Sequence, residues 1–340
     1  MRRKEDVVRG VAAGIAMAST APYLTLKLLW LTGSHVGVRD PKALDSLWTL
    51  NLLTFGMDAI ALALALSFVR PWGRRAPAGL VAFPMWVATG LLGTILVAVP
   101  ADALASLVLG PEHRTPDQPH LDDTIADWVF ALVYGGFGVQ GLSLITAFVL
   151  YARRRWAGLL RSRIGDLPDS PTRTVQRAFA CVAALVALAV AGVRAYWAAG
   201  GEVGLPVHWV EQRTRSIATM DATMATMAVA ATAATLVLVF RIGPGRRLRG
   251  PLTVAWLGAG SLFGWGGYQL VAFGTETTVK DLPSATPGLM NLVQAGQFTA
   301  GVLVLAVGAM ALTERAVQRE RPSARAALSE TEPPSDQVAR

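Results

Sequence analysis

KLLWLTGSHVGV (27–38) closes the first apolar segment of the chain, and 167 positions later the pattern returns as RAYWAAGGEVGL (194–205). Lys27/Arg194, Trp30/Trp197, Gly33/Gly200, Val36/Val203, Gly37/Gly204 and Val38/Leu205 align without a gap. Each copy ends an apolar run and opens a short polar loop. The two copies therefore mark the same place in two successive units, and the fold is read outward from them.

The chain has 340 residues, 53% of them hydrophobic and only 16% charged, against about 25% charged in a soluble globular protein. The apolar residues gather into eight runs of roughly 20, the length a helix needs to cross about 30 Å of hydrocarbon. The runs cover 11–32, 47–69, 80–99, 125–151, 178–199, 216–240, 252–273 and 288–313. The expected fold is all-α: a polytopic integral membrane protein of eight transmembrane helices. It divides into a charged arm (1–10), a first four-helix half (11–151), a basic linker (152–177), a second four-helix half (178–313) and a polar tail (314–340). Four spans per half is an even number, so both halves enter from one side and form a 4+4 parallel internal repeat about an axis along the membrane normal. Further echoes between the halves support duplication: Trp86, Gly90 and Gly93 against Trp256, Gly260 and Gly264, and Gly141 against Gly301.

Charge fixes the expected orientation. Net charge is +8, which in a soluble protein would suggest nucleic acid. Counted loop by loop with the N-terminus inside, however, 23 Lys and Arg fall on the inner side and six on the outer. That asymmetry is the positive-inside pattern. It predicts cytoplasmic termini, a bilayer rather than nucleic acid as partner, and anionic inner-leaflet lipids meeting Arg153, Arg154 and Arg155. The 27 Arg against four Lys fit a GC-rich bacterial genome and hence a plasma membrane. The single cysteine, Cys181, leaves no partner for an intramolecular disulfide.

Ionisable residues inside apolar runs are expensive and carry the functional expectations. Lys27 and Arg194 each sit about five residues before the outer end of their span, about 8 Å deep. They snorkel to the headgroups, face the bundle and hold an anionic group, or form a purely structural ion pair. Trp30 and Trp197, one turn on, are read as interfacial anchors. Asp58 falls near the midplane of the second span. It is either a proton- or cation-linked group or a neutral acid hydrogen-bonded to a neighbouring helix. Asp221 lies at the depth of Arg194, which predicts an Arg194–Asp221 ion pair. The matching depth in the first half is Asn51, which would accept from Lys27. That assignment leaves Lys27 the freer cation, the one to meet a ligand. Gln140, Gln269, Gln294, Gln297 and Asn291 would either line a polar cavity or bond helix to helix.

Other signals are weaker. Met220, Met224 and Met227 form a stripe that suits adaptable packing better than a soft cation. Segment 101–109 reads as a helix in the interface, and residues beyond about 325 as disordered. His113, His120 and the acids of 112–123 match no standard metal spacing. No histidine lies in a span, so a haem held within the bundle lacks its usual axial ligand. There is no P-loop, HExxH or nucleophile elbow, and no cofactor or metal is expected. Three functions follow. The first is a transporter or binding protein for a small anionic or amphipathic molecule, with Lys27, Arg194 and Asp58 between the halves. The second is a membrane-embedded enzyme using Asp58 or Asp221 on a lipid-linked substrate. The third is a non-catalytic sensor or scaffold working through the basic linker and tail.

Overall fold

The structure is a computed structural model that describes residues 2–41, 48–110, 125–167, 169, 171–211, 213–276 and 288–331. Among them are eight long helices: α1 (Arg2–Leu31), α2 (Trp48–Val69), α4 (Ala78–Leu109), α5 (Asp127–Arg155), α7 (Arg173–Ala198), α9 (Arg215–Val239), α10 (Arg249–Glu276) and α11 (Gly288–Thr331). Three five-residue turns of helix join them: α3 (Pro71–Arg75), α6 (Ala157–Arg161) and α8 (Val207–Glu211). The described residues contain no strand, only two isolated bridges, Val38 to Ile125 and Arg163 to Arg247. The loop carrying His113 and His120 lies outside the described residues.

Seven of the long helices are long and apolar enough to cross a membrane, which marks this as a membrane protein. The one left out is α10. Its sequence spends many positions on Gly258, Ser261, Gly264, Gly266, Tyr268 and Gln269, which lowers its hydropathy. It packs against α4, α9 and α11, so much of its surface meets protein and small residues serve it better than large apolar ones.

The helices form two sets. In the second, α7 packs on α9 and α11, and α10 closes the ring by packing on both of those. In the first, α1 packs on α2 and α5, but α4 makes its broadest contact with α10 of the other set. The seam between the sets is therefore α4 against α10. A Cβ on Gly90 would lie 2.0 Å from the carbonyl carbon of Gly260, so the two backbones touch. Around that contact, the hydroxyls of Thr94 and Ser261 share a hydrogen bond of 2.7 Å, and the Trp256 indole donates to Thr89 Oγ1 at 2.8 Å. Phe83, Trp86 and Phe263 stack beside it.

The two quoted stretches adopt one conformation. Trp30 Nε1 donates to the Val36 carbonyl at 2.9 Å, and Trp197 Nε1 to the Val203 carbonyl at 3.0 Å. Gly33 and Gly200 take φ of 90° and 93°, and Gly37 and Gly204 take 72° and 83°, values open to glycine at little cost. The indole thus ties each helix end to its own loop. Both rings are buried, Trp30 at 8% exposure and Trp197 at 2%. The indole N–H that an interfacial anchor would offer to headgroups is thus already satisfied by its own loop.

Two further expectations change, and the basic run acquires partners. Segment 101–109 is not a separate interfacial helix, because α4 runs unbroken through Pro100 to Leu109. The last helix continues to Thr331, past the expected end of its span and past residue 325, since its Ala, Arg and Glu residues are strong helix formers. Of the basic run, Arg154 pairs with Asp6 and Glu5, and Arg155 donates to the Gly73 carbonyl at 2.9 Å and to Tyr151. Arg153 alone of the three is exposed with no such partner among the described residues. The linker itself is anchored: Ile164 is fully buried, and Ile164 and Gly165 donate backbone N–H to the carbonyls of Arg246 and Pro244.

Candidate functional site

Two buried ion clusters lie in the bundle, one in each set of helices. In the first, Lys27 Nζ meets Asp58 Oδ2 at 2.9 Å, with the lysine side chain fully buried and the aspartate 8% exposed. The Tyr23 ring lies 4.0 Å from the ammonium, and the buried Gln140 of α5 lies beside the carboxylate. One cation and one anion are thus enclosed by α1, α2 and α5.

This pairing overturns the assignment of Lys27 to Asn51 and of Lys27 as the freer cation. The reason lies in side-chain direction. A helical side chain leans toward the N-terminus of its helix. α1 and α2 run in opposite directions, so Lys27 leans away from the 31–38 loop and Asp58 leans toward it. They meet between their backbone levels, while Asn51 leans away and is only half-buried.

In the second set, the expected Arg194–Asp221 pair forms, Nη1 to Oδ1 at 2.7 Å. Arg194 Nη2 also donates to the side-chain oxygens of Gln269 at 2.6 Å and Gln297 at 3.1 Å. Four helices therefore contribute: α7 the cation, α9 the acid, α10 and α11 the amides. A fifth group went unread in the sequence. Arg213, in the turn before α9, donates through Nη2 to Asp221 Oδ2 at 3.2 Å and to the carbonyl of Trp197. Thr214 caps α9 by accepting from Ile217 N–H, which holds Arg213 just outside the first turn. The available signal was spacing: Arg213 and Asp221 are two helical turns apart, on one side of α9 if the chain enters the helix directly.

A cavity of about 170 Å³ opens on this second cluster, and Arg194, Arg213, Asp221 and Gln269 line it together with Trp197, Trp209 and Met220. Met224 and Met290 complete the apolar wall. So two of the three stripe methionines, Met220 and Met224, face a polar cluster. Neither Lys27 nor Asp58 lines this cavity. Toward the end of the bundle that holds the termini, the set is filled by Ala187, Ala191, Ala225, Ala228, Ala231 and Ala300. The cavity lies on the other side of this packing, and Leu205, Trp209 and Arg213 of the 199–214 loop help to wall it.

The sequence-derived site is thus split. Lys27 with Asp58, and Arg194 with Asp221, form separate pairs within their own helix sets rather than one cluster between halves. Of the amides, Gln140 serves the first pair, Gln269 and Gln297 the second, Gln294 is buried elsewhere, and Asn291 is exposed. No three His, Cys, Asp or Glu side chains among the described residues are grouped to hold a metal ion.

The two clusters differ in charge. The first has one cation and one anion. The second has two guanidiniums and one carboxylate lining the cavity, with both carboxylate oxygens engaged. Arg194 is 6% exposed, and its Nε has no hydrogen-bond partner among the described residues.

Compared with protein-family models, curated proteins and solved structures, the chain finds no match in any of the three.

Proposed function

We propose that the protein is an eight-span membrane protein, a duplicated pair of four-helix units with cytoplasmic termini in a bacterial plasma membrane, that binds a small anion in its second unit. The single observation that carries this reading is the surplus guanidinium at the cavity: Arg194 and Arg213 against Asp221 alone. A net charge held among apolar walls is costly unless a counter-charge joins it, and an entering anion supplies that charge. The duplication rests on the matched loops at 27–38 and 194–205 and on contacts between positions 167 apart at the α4–α10 seam. Orientation rests on the loop charges, with Arg153 among the residues placed to meet anionic lipid. The alanine packing beneath the cavity favours binding at one face over a path through the unit. With both oxygens of Asp221 engaged, the cavity offers no free carboxylate for acid–base work, so binding is preferred to catalysis.

Thermal unfolding of the full chain in nanodiscs tests this. Across a panel of sodium salts of carboxylates, phosphate, sulfate and halides, at least one anion should raise the melting temperature saturably. Stabilisation of about 2.7 kcal/mol is expected at a hundredfold excess over Kd. Arg213→Gln should abolish the rise, and the double variant Lys27→Met/Asp58→Leu should retain it. Stabilisation that survives Arg213→Gln, or none across the panel, would refute the reading.

A further inference from the structure

Resting on that anion site, we infer that its ligand is a small apolar monocarboxylate with a body about the size of one six-membered ring. Four observations converge on this class. The first is charge. The lining residues hold one cation in excess, which one negative charge balances. A dianion such as phosphate near neutrality would reverse the sign of the cluster and again leave an uncompensated charge among apolar groups.

The second is donor geometry. Arg213 commits Nη2 to Asp221 and to the Trp197 carbonyl, and its Nη1 and Nε have no partner among the described residues. Cδ lies between those two N–H groups, so they diverge, and each offers a single charge-assisted hydrogen bond to a small anion. Arg194 adds its unpartnered Nε.

The third is the wall. Beyond the polar cluster the cavity lining is apolar, with Trp197, Trp209, Met220 and Met290 prominent in it. Indoles present flat apolar faces, and thioethers adapt to irregular shapes. An inorganic anion would leave those surfaces unused.

The fourth is size. A cavity of about 170 Å³ compares with the roughly 150 Å³ apolar cavity that accepts benzene. A ring or a short branched chain fits. A long acyl chain would overfill it and would have to project beyond it.

The test uses the full chain in zwitterionic nanodiscs and equilibrium binding of radiolabelled benzoate. Saturable binding is expected at least tenfold tighter than that of acetate in competition, since each buried methylene contributes about fourfold. Phosphate and the cationic isostere benzylamine should fail to compete, and nanodiscs containing phosphatidylglycerol should bind benzoate equally well. Arg213→Gln should weaken benzoate at least tenfold. Ile217→Trp, at the half-buried rim of the cavity, should weaken benzoate while sparing acetate, and it keeps the test decisive if the arginine variant misfolds. Equal, Arg213-dependent binding of acetate, phosphate and benzoate would overturn the ligand class and leave the anion site standing. Displacement of benzoate by phosphatidylglycerol would assign the site to lipid headgroups instead. Absence of any Arg213-dependent anion binding would overturn both.

Discussion

Replacing Asp58 with asparagine will destabilise the protein by about 3–5 kcal/mol, because it leaves the Lys27 ammonium buried without its counter-charge. Lys27 is fully buried and meets Asp58 at 2.9 Å. Its other neighbours are the Tyr23 ring and the amide that serves the carboxylate, neither of which supplies a negative charge. Lys27→Met should cost a similar amount by stranding the carboxylate. The double variant Lys27→Met/Asp58→Leu removes both charges and should recover most of the loss, since apolar side chains of similar volume often replace a buried pair at little cost. Thermal or denaturant unfolding of the four proteins in one detergent gives the coupling directly. Losses that merely add in the double variant would mean the two charges do not depend on each other.

The second large effect is expected at the seam. Gly90→Ala should destabilise by about 3 kcal/mol, the upper part of the range for overpacking. The added carbon would sit 2.0 Å from Gly260 C and 2.4 Å from Gly260 O. Both are backbone atoms, so no rotamer relieves the clash and α4 must move off α10. That movement also strains the Thr94–Ser261 and Trp256–Thr89 hydrogen bonds. Gly93→Ala is the control: its nearest new contact is Leu257 Cδ2 at 3.7 Å, an ordinary van der Waals distance. A melting temperature that falls for Gly90→Ala and holds for Gly93→Ala fits a close backbone crossing. Equal tolerance of both substitutions would mean that α4 and α10 lie farther apart.

These two sites show what the sequence makes legible. The long apolar runs needed no tertiary information, because crossing hydrocarbon is a property of one helix at a time. The same reasoning placed α10 among the spans, although its hydropathy is low for a reason that only packing explains. Depth alone suffices to pair Arg194 with Asp221, because both lie near the loop end of adjacent helices. For Lys27 the same estimate chose Asn51 over Asp58. Depth along the axis ignores the lean of side chains toward each helix N-terminus, and over one turn that lean decides the partner. For Trp30 and Trp197, position near a span end suggests an interfacial anchor, since an indole there usually meets headgroups. Their bonds to Val36 and Val203 carbonyls depend on how the loop folds back. Arg213 falls in a loop by composition, and its role arises only from the tertiary contacts it makes with Asp221 and the Trp197 carbonyl.

The contrast between the two units is the consequence of these small differences. An ammonium on a flexible stem reaches one carboxylate and is sealed in. A guanidinium at the corresponding position holds a carboxylate and two amides at once, and a second guanidinium joins from the loop. The unit with balanced charges encloses its pair, whereas the unit with the extra cation keeps a cavity beside it.

The most direct measurement is anomalous diffraction from crystals of the full chain grown with bromide. The account places a bromide peak at the cavity, in contact with the guanidiniums of Arg194 and Arg213, and none beside Lys27. A peak at Lys27, or an Arg194–Arg213 cluster left empty at saturating bromide, would contradict it.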